Sequence, residues 1–420
     1  MGLGPGGGNL LQRGVTGSKE QETRDVGAPS PSARLEREWW AWVAAAVILL
    51  GTFGWAVAAR LPGQGAGWLS SVALVAGYVL AFSRSRLAEN HRAGSPEVLP
   101  SLGPGTSLSL LRGLLMAPLA GLLLLPPLEG ILAWLPALLY TASAVADHLD
   151  GLMARRANHV TRLGETLDLE LDGLGVLLAV GLAIHYGRLP LAFLAVGLAR
   201  YGYLLWTVVL RARRRMLHDL PPSKVRRALA GLEIGFLSAA LWPIIPPPLA
   251  LLTGSVFAVP FLISFGRDAL VVGGFVDIAS PLYRTLRSAV LALATRWIPP
   301  LLRIALVIAV GPATWAALGD IPARSAAFAQ AGVANSFVVA PVLAALQGLA
   351  LVLTTIGFLG QLGALLLFAT LGLTMVALGV TAPGLTGCGL AAGLLMLGTG
   401  AASIWGPEGE FVSKRRGGRA

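Results

Sequence analysis

The sequence predicts an all-α protein that crosses a membrane many times. Hydrophobic residues make up 55% of its 420 residues and charged residues only 13%, whereas soluble domains carry roughly 25% charged residues. A membrane-spanning helix needs about 20 mainly apolar residues, and segments of this kind recur along almost the whole chain. The single cysteine, Cys388, excludes a disulfide framework and a cysteine-rich metal site.

The basic residues follow the pattern of a membrane protein rather than that of a nucleic-acid-binding protein. The formal net charge is +11, but the arginines and lysines lie mainly in short loops between apolar runs. This placement is typical of the positive-inside bias and of loops that lie against anionic head groups. We therefore expect membrane lipids, and no nucleic acid, among the partners.

The N-terminal quarter contains a polar tail and two predicted spans. Residues 1–38 are rich in Gly, Ser and Pro and lack an apolar run, which predicts a disordered tail. Residues 39–104 hold spans at about 39–60 and 67–83, followed by a basic connector. Tryptophans near the ends of these spans are typical of anchors in the membrane interface. They are Trp40, Trp42, Trp55 and Trp68.

The middle of the chain, residues 105–268, predicts a core of six membrane helices. Apolar stretches of sufficient length alternate there with short loops. The predicted spans lie near 108–126, 131–149, 167–186, 189–210, 228–246 and 249–267.

The C-terminal third predicts an interfacial segment and four more spans. Residues 269–298 mix apolar residues with arginines, a pattern typical of an amphipathic helix in the head-group layer. Residues 299–420 contain no cluster of ionisable residues that would indicate a role of their own. Their predicted spans lie near 299–318, 334–357, 360–380 and 384–405.

The charges of the loops orient the predicted spans. The loop 211–227 is the most basic of the chain, and the loops predicted on the opposite side are short and nearly uncharged. An arrangement of twelve spans with both termini in the cytoplasm satisfies this distribution. We expect a multi-pass protein of a prokaryotic cytoplasmic membrane. Stripes of small residues on its helices would allow a homodimer.

A dense group of acids stands out between Asp147 and Asp172. The sequence there reads D-H-L-D-G-L-M-A-R, then eight residues, then G-E-T-L-D-L-E-L-D. Because residues three and four apart share a helix face, Asp147 and Asp150 line one stripe, and Asp168 and Asp172 line another. A turn within about 157–163 would set the two stripes face to face, at the cytoplasmic surface under the predicted orientation.

Four carboxylates so close together need a cation, because they otherwise repel one another strongly. Oxygen ligands at this density suit Mg²⁺ or Mn²⁺, and two such ions can stabilise the attacking and leaving oxygens of a phosphoryl transfer. Arg155 can donate hydrogen bonds to phosphate oxygens. The small residues Gly151, Ala154 and Gly164 allow a substrate or a neighbouring helix to approach the backbone.

This stretch resembles the signature of the CDP-alcohol phosphatidyltransferase family. That signature is D-x-x-D-G-x-x-A-R, eight residues and G-x-x-x-D-x-x-x-D, and every fixed position is present here. Upstream, the run from Pro104 to Arg112 resembles a weakened form of the family's P-N-x-L-T-x-x-R motif, with Ser109 where threonine is usual. The positions that match the signature are Asp147, Asp150, Gly151, Ala154, Arg155, Gly164, Asp168 and Asp172.

The resemblance implies a six-helix membrane core and a reaction of phospholipid biosynthesis. A phosphatidyl group would pass from a CDP-alcohol, most often CDP-diacylglycerol, to an acceptor hydroxyl, and CMP would leave. Asp147, Asp150 and Asp168 would bind Mg²⁺ or Mn²⁺, with two ions expected, and Asp172 would be the general base and also lie near the metals. The residues implied to border the CDP moiety are Gly151, Ala154, Arg155 and Gly164.

Two further features leave alternatives open. Arg211, Arg213 and Arg214 in the basic loop would suit the phosphate of an acceptor such as glycerol phosphate or inositol phosphate. The same charges fit a topology determinant bound to anionic lipid, which is the interpretation we favour; serine and other polar alcohols also remain open as acceptors. Glu233, a lone acid inside the fifth core span, either serves the site or has an interhelical partner.

Two other functions are compatible with acids in a membrane protein. A transporter could use the aspartates to bind a translocated cation, but it would spread acids over several non-adjacent spans or show inverted repeats. Here the acids are concentrated in one helix-turn-helix. A membrane scaffold could keep the motif without catalysis, although the intact aspartates argue against decay.

Overall fold

The computed structural model describes residues 30–60, 65–220, 223–401 and 403–404. In this part of the chain the protein is helical and has no strand, which confirms the predicted all-α class. Most of the predicted disordered tail, residues 1–29, lies outside the described residues, and so do the basic residues that end the chain.

Fourteen α-helices make up the described part of the chain. They are α1 (Pro31–Arg60), α2 (Gly65–Ser85), α3 (Gly103–Leu122), α4 (Leu135–Arg156), α5 (Arg162–His185), α6 (Leu194–Ala212), α7 (Lys224–Ala240), α8 (Pro247–Val272), α9 (Pro281–Ala292), α10 (Ile298–Gly319), α11 (Ile321–Gln330), α12 (Ser336–Ile356), α13 (Gly360–Leu378) and α14 (Ala382–Leu397). Helices α3 to α8 occupy the region of the predicted six-helix core. The short helix α11 has no predicted counterpart.

Nine helical segments of the described chain are long and apolar enough to cross a membrane, which confirms a polytopic membrane protein. One of them runs from α9 through a π-helical turn at Leu293–Trp297 into α10. The predicted spans at α5, α7 and α14 are too short or too polar to be counted among these nine segments. The first half of α5 carries the acidic motif, and α7 and α14 have only 17 and 16 residues. The count of twelve spans therefore stays a prediction.

Helices α4 and α5 form the hairpin that carries the motif. Arg156 is the last residue of α4, and Asn158 has a left-handed backbone with a φ of 49°, a conformation that asparagine tolerates better than most residues. The hydroxyl of Thr161 then accepts a hydrogen bond from the Gly164 amide at 3.2 Å and caps α5. The turn lies where the sequence predicts it, and both helices extend toward it beyond their predicted spans, so every fixed position of the signature is helical.

The N-terminal pair packs onto the core through α2. Trp68, which the sequence predicts as an interface anchor, is completely buried instead. Its indole packs on Phe53 of α1, with ring centroids 5.6 Å apart, and lies against Gly121 of α3. Because a side chain at Gly121 would collide with the indole, the glycine allows α2 to approach α3 closely.

The C-terminal helices form a second bundle, which joins the core where α14 packs against α8. Within this bundle α12 packs on α13, and α10 packs on α14. Polar side chains meet between these helices. The Gln347 amide donates to the Thr314 hydroxyl at 2.8 Å, and Arg324 of α11 donates to the Thr374 hydroxyl at 3.2 Å. Such interhelical hydrogen bonds stabilise the association of membrane helices.

Helix α9 corresponds to the predicted interfacial segment 269–298 but is shorter, because α8 takes up the first four residues of that range. Leu282, Leu286 and Val290 share one face of α9 and are 70%, 56% and 62% exposed. Arg284 on the opposite face is exposed as well. A helix that exposes one apolar and one basic face suits the head-group layer of a membrane.

The position of α9 can be tested with a fluorescent label at a single cysteine, since the native Cys388 is fully buried. The full-length protein in lipid nanodiscs would carry an NBD label at Leu286→Cys or, as the matched control, at Ser288→Cys on the polar face. We expect dithionite to quench the label at 286 several times more slowly than the label at 288, because the apolar face lies among acyl chains. Equal quenching at both positions would contradict an interfacial helix.

Candidate active site

Three of the four motif aspartates converge across the hairpin. Asp147 and Asp150 of α4 and Asp168 of α5 each offer a carboxylate oxygen, and these oxygens lie within 4.8 Å of one another. Asp172 follows Asp168 by one turn of α5 and lies outside this group of three. Carboxylate oxygens are the ligands that Mg²⁺ and Mn²⁺ prefer. The three converging residues therefore fit a divalent cation.

Arg112 of α3 places its guanidinium among the four aspartates. Its side chain is 1% exposed and forms ion pairs with Asp147, with Asp168 at 3.0 Å and with Asp172 at 3.1 Å. Asp150 lies 4.0 Å from the same guanidinium. One positive charge thus offsets part of the repulsion among the carboxylates. The sequence marks this residue only as the end of a weakened motif, although an arginine inside an apolar span is itself a signal of function.

Small and hydroxyl side chains of α3 hold it against α4 beside the aspartates. The Ser109 hydroxyl donates to the Asp150 carboxylate at 2.7 Å. At Gly105 a β-carbon would come within 3.0 Å of the Asp150 carbonyl oxygen and 3.1 Å of the Ala154 α-carbon. A side chain at Gly105 would therefore push the helices apart and move the aspartates. Ala154 has a packing role here beside any role toward a substrate.

A cavity of about 170 Å³ lies between the end of α4 and the start of α5. The hairpin brings all four residues implied to border the CDP moiety into its wall: Gly151, Ala154, Arg155 and Gly164. The guanidinium of Arg155 lies across Gly151, where a β-carbon would stand 2.9 Å from its Nη1 atom. His159 also lines this cavity and contacts the Ser101 carbonyl oxygen at 3.1 Å.

A second cavity, of about 380 Å³, lies among α5, α6, α7 and α8. Its wall is mostly apolar but includes Asp172, Asp268 and the arginines Arg200, Arg226 and Arg227. Sequence reasoning missed Arg200, although a charged residue in the middle of a predicted span is a signal of function. Asp168 lines the first cavity and Asp172 the second. The aspartate cluster therefore borders both cavities.

The arginines of the basic loop, for which phosphate binding was the alternative to a topology role, lie outside both cavities. Arg211, Arg213 and Arg214 are exposed at the end of α6, and they line neither cavity. The reason is geometric: α6 ends at Ala212, and the left-handed backbone of Arg214, with a φ of 54°, turns the chain away. The charges of the basic loop that do reach the second cavity come from the first turn of α7.

Glu233 of α7 is fully buried, yet neither of its carboxylate oxygens has a hydrogen-bond partner among the residues that the structure describes. It lines neither of the two cavities. The interhelical partner that the sequence analysis considered for it is thus not found in the described ranges.

Comparison with known proteins agrees with the signature. The model of the CDP-alcohol phosphatidyltransferase family matches residues 105–266. The resemblance is confirmed for this segment. The family implies transfer of a phosphatidyl group from a CDP-alcohol to an alcohol acceptor, and its members typically depend on a divalent metal. The match leaves α1, α2 and the helices after α8 uncovered. No curated protein and no solved structure matches the chain.

Replacing Arg112 tests whether the aspartate cluster holds a cation. We expect Arg112→Gln to lower the free energy of unfolding in EDTA by about 3 kcal/mol, the lower end for a broken buried pair, because three of the carboxylates are 31–44% exposed. Mg²⁺ should restore part of the lost stability, because the cation would neutralise the carboxylates in place of the guanidinium. The measurement is the thermal midpoint of the detergent-purified protein with and without Mg²⁺.

Arg188→Gln is the matched control for this test. Arg188 is a partly buried arginine that, among the described residues, donates only to backbone carbonyls, those of Trp242 at 3.1 Å and Pro243 at 3.2 Å included. Its replacement should lower the midpoint by the same amount with and without Mg²⁺. A loss in Arg112→Gln that is equally insensitive to Mg²⁺ would show that the aspartates do not bind the cation.

Replacing Glu233 tests whether this buried acid has a partner. We expect Glu233→Leu to leave the thermal midpoint unchanged or to raise it, because a buried carboxyl without partners costs about 1–3 kcal/mol. Asp268→Leu is the control: that acid is equally buried but accepts from Arg226 and Arg267, so its loss should destabilise the protein. Loss of stability in Glu233→Leu would instead reveal a partner of Glu233.

Proposed function

We propose that the protein transfers a phosphatidyl group from CDP-diacylglycerol to the hydroxyl of a phosphorylated alcohol and releases CMP, as a step of phospholipid biosynthesis. The observation that carries this proposal is the place of the aspartate cluster between two cavities of different chemistry. One cavity is lined by the signature residues of the CDP-alcohol family, and the other has a mostly apolar wall that includes three arginines. A donor and an anionic acceptor could therefore approach the same carboxylates from two sides.

The first cavity suits the CDP part of the donor. Gly151 and Gly164 leave room for a nucleotide close to the backbone, and Arg155 can donate to phosphate oxygens. The amino end of α5, capped by Thr161, also borders this cavity. The positive end of the helix dipole there favours a diphosphate. The acyl chains of the donor would stay in the bilayer.

The residues that would hold a divalent cation are Asp147, Asp150 and Asp168, with a second ion as part of the proposal. Such a cation neutralises the charge of the diphosphate, which is the electrostatic task that dominates phosphoryl transfer. Arg112 holds the three carboxylates at their spacing and donates to Asp172 as well. These contacts hold the carboxylates close together before a substrate binds, as electrostatic preorganisation requires.

Asp172 is the proposed general base. Its carboxylate would accept the proton of the acceptor hydroxyl while that oxygen bonds to the phosphorus of the donor's phosphatidyl group. The bond from this phosphorus to the CMP oxygen breaks, and CMP leaves from the first cavity with its new charge beside Arg155. Asp172 suits this role because it lines the second cavity, where the acceptor would bind.

The arginines of the second cavity favour an acceptor that carries an anionic group. Arg200, Arg226 and Arg227 outnumber the acids Asp172 and Asp268 in its wall. Phosphorylated alcohols such as glycerol phosphate and inositol phosphate therefore fit better than serine, because guanidinium groups bind phosphate oxygens in a bidentate manner. We further propose that this site faces the cytoplasm, since the ends of α4 and α6 beside it carry the basic residues.

The decisive measurement is CMP release by the detergent-purified protein. It would be supplied with CDP-diacylglycerol, Mg²⁺ or Mn²⁺, and a panel of glycerol phosphate, inositol phosphate, serine and glycerol. We expect release with one phosphorylated acceptor, loss in EDTA, and a fall of about 10²- to 10⁴-fold in Asp172→Asn, the range for removal of a general base.

Asp320→Asn serves as the control variant, since Asp320 caps α11 in the C-terminal bundle and its loss should leave CMP release unchanged. Absence of release with every acceptor, from folded protein that binds the metal, would overturn the proposal in favour of an inactive scaffold. Release with serine alone would overturn the acceptor class but not the reaction.

A further inference from the structure

Two arginines of the second cavity are each held by a buried acid. Arg200 of α6 donates to Glu170 of α5 at 3.0 Å, and Arg226 of α7 donates to Asp268 of α8 at 2.9 Å. The acids are more buried than the arginines: the side chains of Glu170 and Asp268 are 13% and 5% exposed, against 24% and 34% for Arg200 and Arg226. The acids therefore act as fixed points from which the guanidinium groups extend toward the cavity.

A tyrosine from the N-terminal pair of helices reaches the first of these acids. Tyr78 of α2 donates its hydroxyl to one oxygen of Glu170 at 2.7 Å, while Arg200 binds the other oxygen. Glu170 occupies a variable position of the signature, between Asp168 and Asp172. The chain Tyr78–Glu170–Arg200 thus runs from a helix outside the matched segment into the wall of the cavity.

A second tyrosine, on the C-terminal side of the core, contacts the other acid indirectly, through an arginine. The hydroxyl of Tyr283 on α9 accepts a hydrogen bond from the Nε atom of Arg267 at 2.8 Å. Arg267 in turn donates to one oxygen of Asp268 at 2.8 Å, and Arg226 donates to the other. Asp268 is therefore shared between two guanidinium groups, of which one is held in place by Tyr283.

We infer that the segments flanking the family core complete its anion-binding cavity, with Tyr78 and Tyr283 as positioning residues for Arg200 and Arg226. Both tyrosines lie outside residues 105–266, the part of the chain that matches the family. The inference rests on the proposed function only in treating this cavity as the acceptor's. It gives the extra helices a role in substrate affinity.

The physical basis is that each acid shares its negative charge between its cavity arginine and a second hydrogen-bond donor. The Tyr78 hydroxyl satisfies one oxygen of Glu170, so the carboxylate neither rotates nor draws Arg200 away from the cavity. Tyr283 keeps Arg267 on Asp268, which leaves the charge of Arg226 only partly compensated. Without the hydroxyl of either tyrosine, the acid would pair more fully with its cavity arginine, and the attraction for an anion would weaken.

The test measures the binding of inorganic phosphate and of glycerol 3-phosphate to the full-length detergent-purified protein in EDTA, where no cation can bridge the ligand. Tyr78→Phe and Tyr283→Phe keep the rings and remove only the hydroxyls. We expect each variant to raise the Kd by about fivefold, as the partial loss of a charge-assisted hydrogen bond implies. The double variant should raise it by about 25-fold, because the two chains share no partner.

Tyr186→Phe is the matched control. It removes a hydroxyl that accepts from the Leu128 amide at 3.3 Å, at the other end of α5, and it should leave the Kd unchanged. Arg200→Gln should abolish most of the binding. An unchanged Kd in both Tyr78→Phe and Tyr283→Phe, an equal rise in Tyr186→Phe, or no phosphate binding by the wild-type protein would each overturn the inference.

Kinetics separates this inference from the proposed reaction. If the wild-type protein releases CMP, the two variants should raise the KM for a phosphorylated acceptor and leave kcat and the KM for the donor unchanged. A fall in kcat with no change in the acceptor's KM would assign the tyrosines a merely structural role and overturn the inference. Phosphate binding that depends on the tyrosines, in a protein that releases no CMP, would support it while the transferase reaction fails.

Discussion

Electrostatic repulsion among the four motif aspartates constrains everything around them. Carboxylates held this close in a membrane protein must be neutralised, and the fold supplies a buried arginine, Arg112, for part of that task. The arginine reaches them because α3 packs directly on α4, and this close approach depends on Gly105 and on the hydrogen bond from Ser109. Packing and charge therefore depend on the same few residues of α3.

The hairpin of α4 and α5 places the aspartate cluster between the two cavities. Asp168 and Asp172 stand one turn apart on α5, and that single turn separates a cavity lined by glycines and Arg155 from a mostly apolar cavity with three other arginines in its wall. A group-transfer reaction needs two substrates that meet at one set of charges without occupying the same space. Under the proposed function, the spacing of the two aspartates on α5 would supply that division.

The charged residues buried in this membrane core differ in how they are satisfied. Arg200 and Arg226 have acidic partners, which in turn contact residues outside the family core. Glu233 has no partner in the described residues. An unpartnered buried carboxyl costs free energy, whereas the partnered groups are held in place by their ion pairs. The flanking helices would then stabilise a binding surface as well as add to the membrane domain.

The sequence by itself determined the features that depend on neighbouring residues. Composition and apolar runs predicted an all-α membrane protein, and the spacing of the acids placed them on two helix faces joined by a turn near Asn158. Only the tertiary structure decided which charges meet. It brought Arg112 to the aspartates, buried Trp68, and left Arg214 in solvent. These outcomes depend on how helices distant in the chain pack together, and helical periodicity carries no information about that.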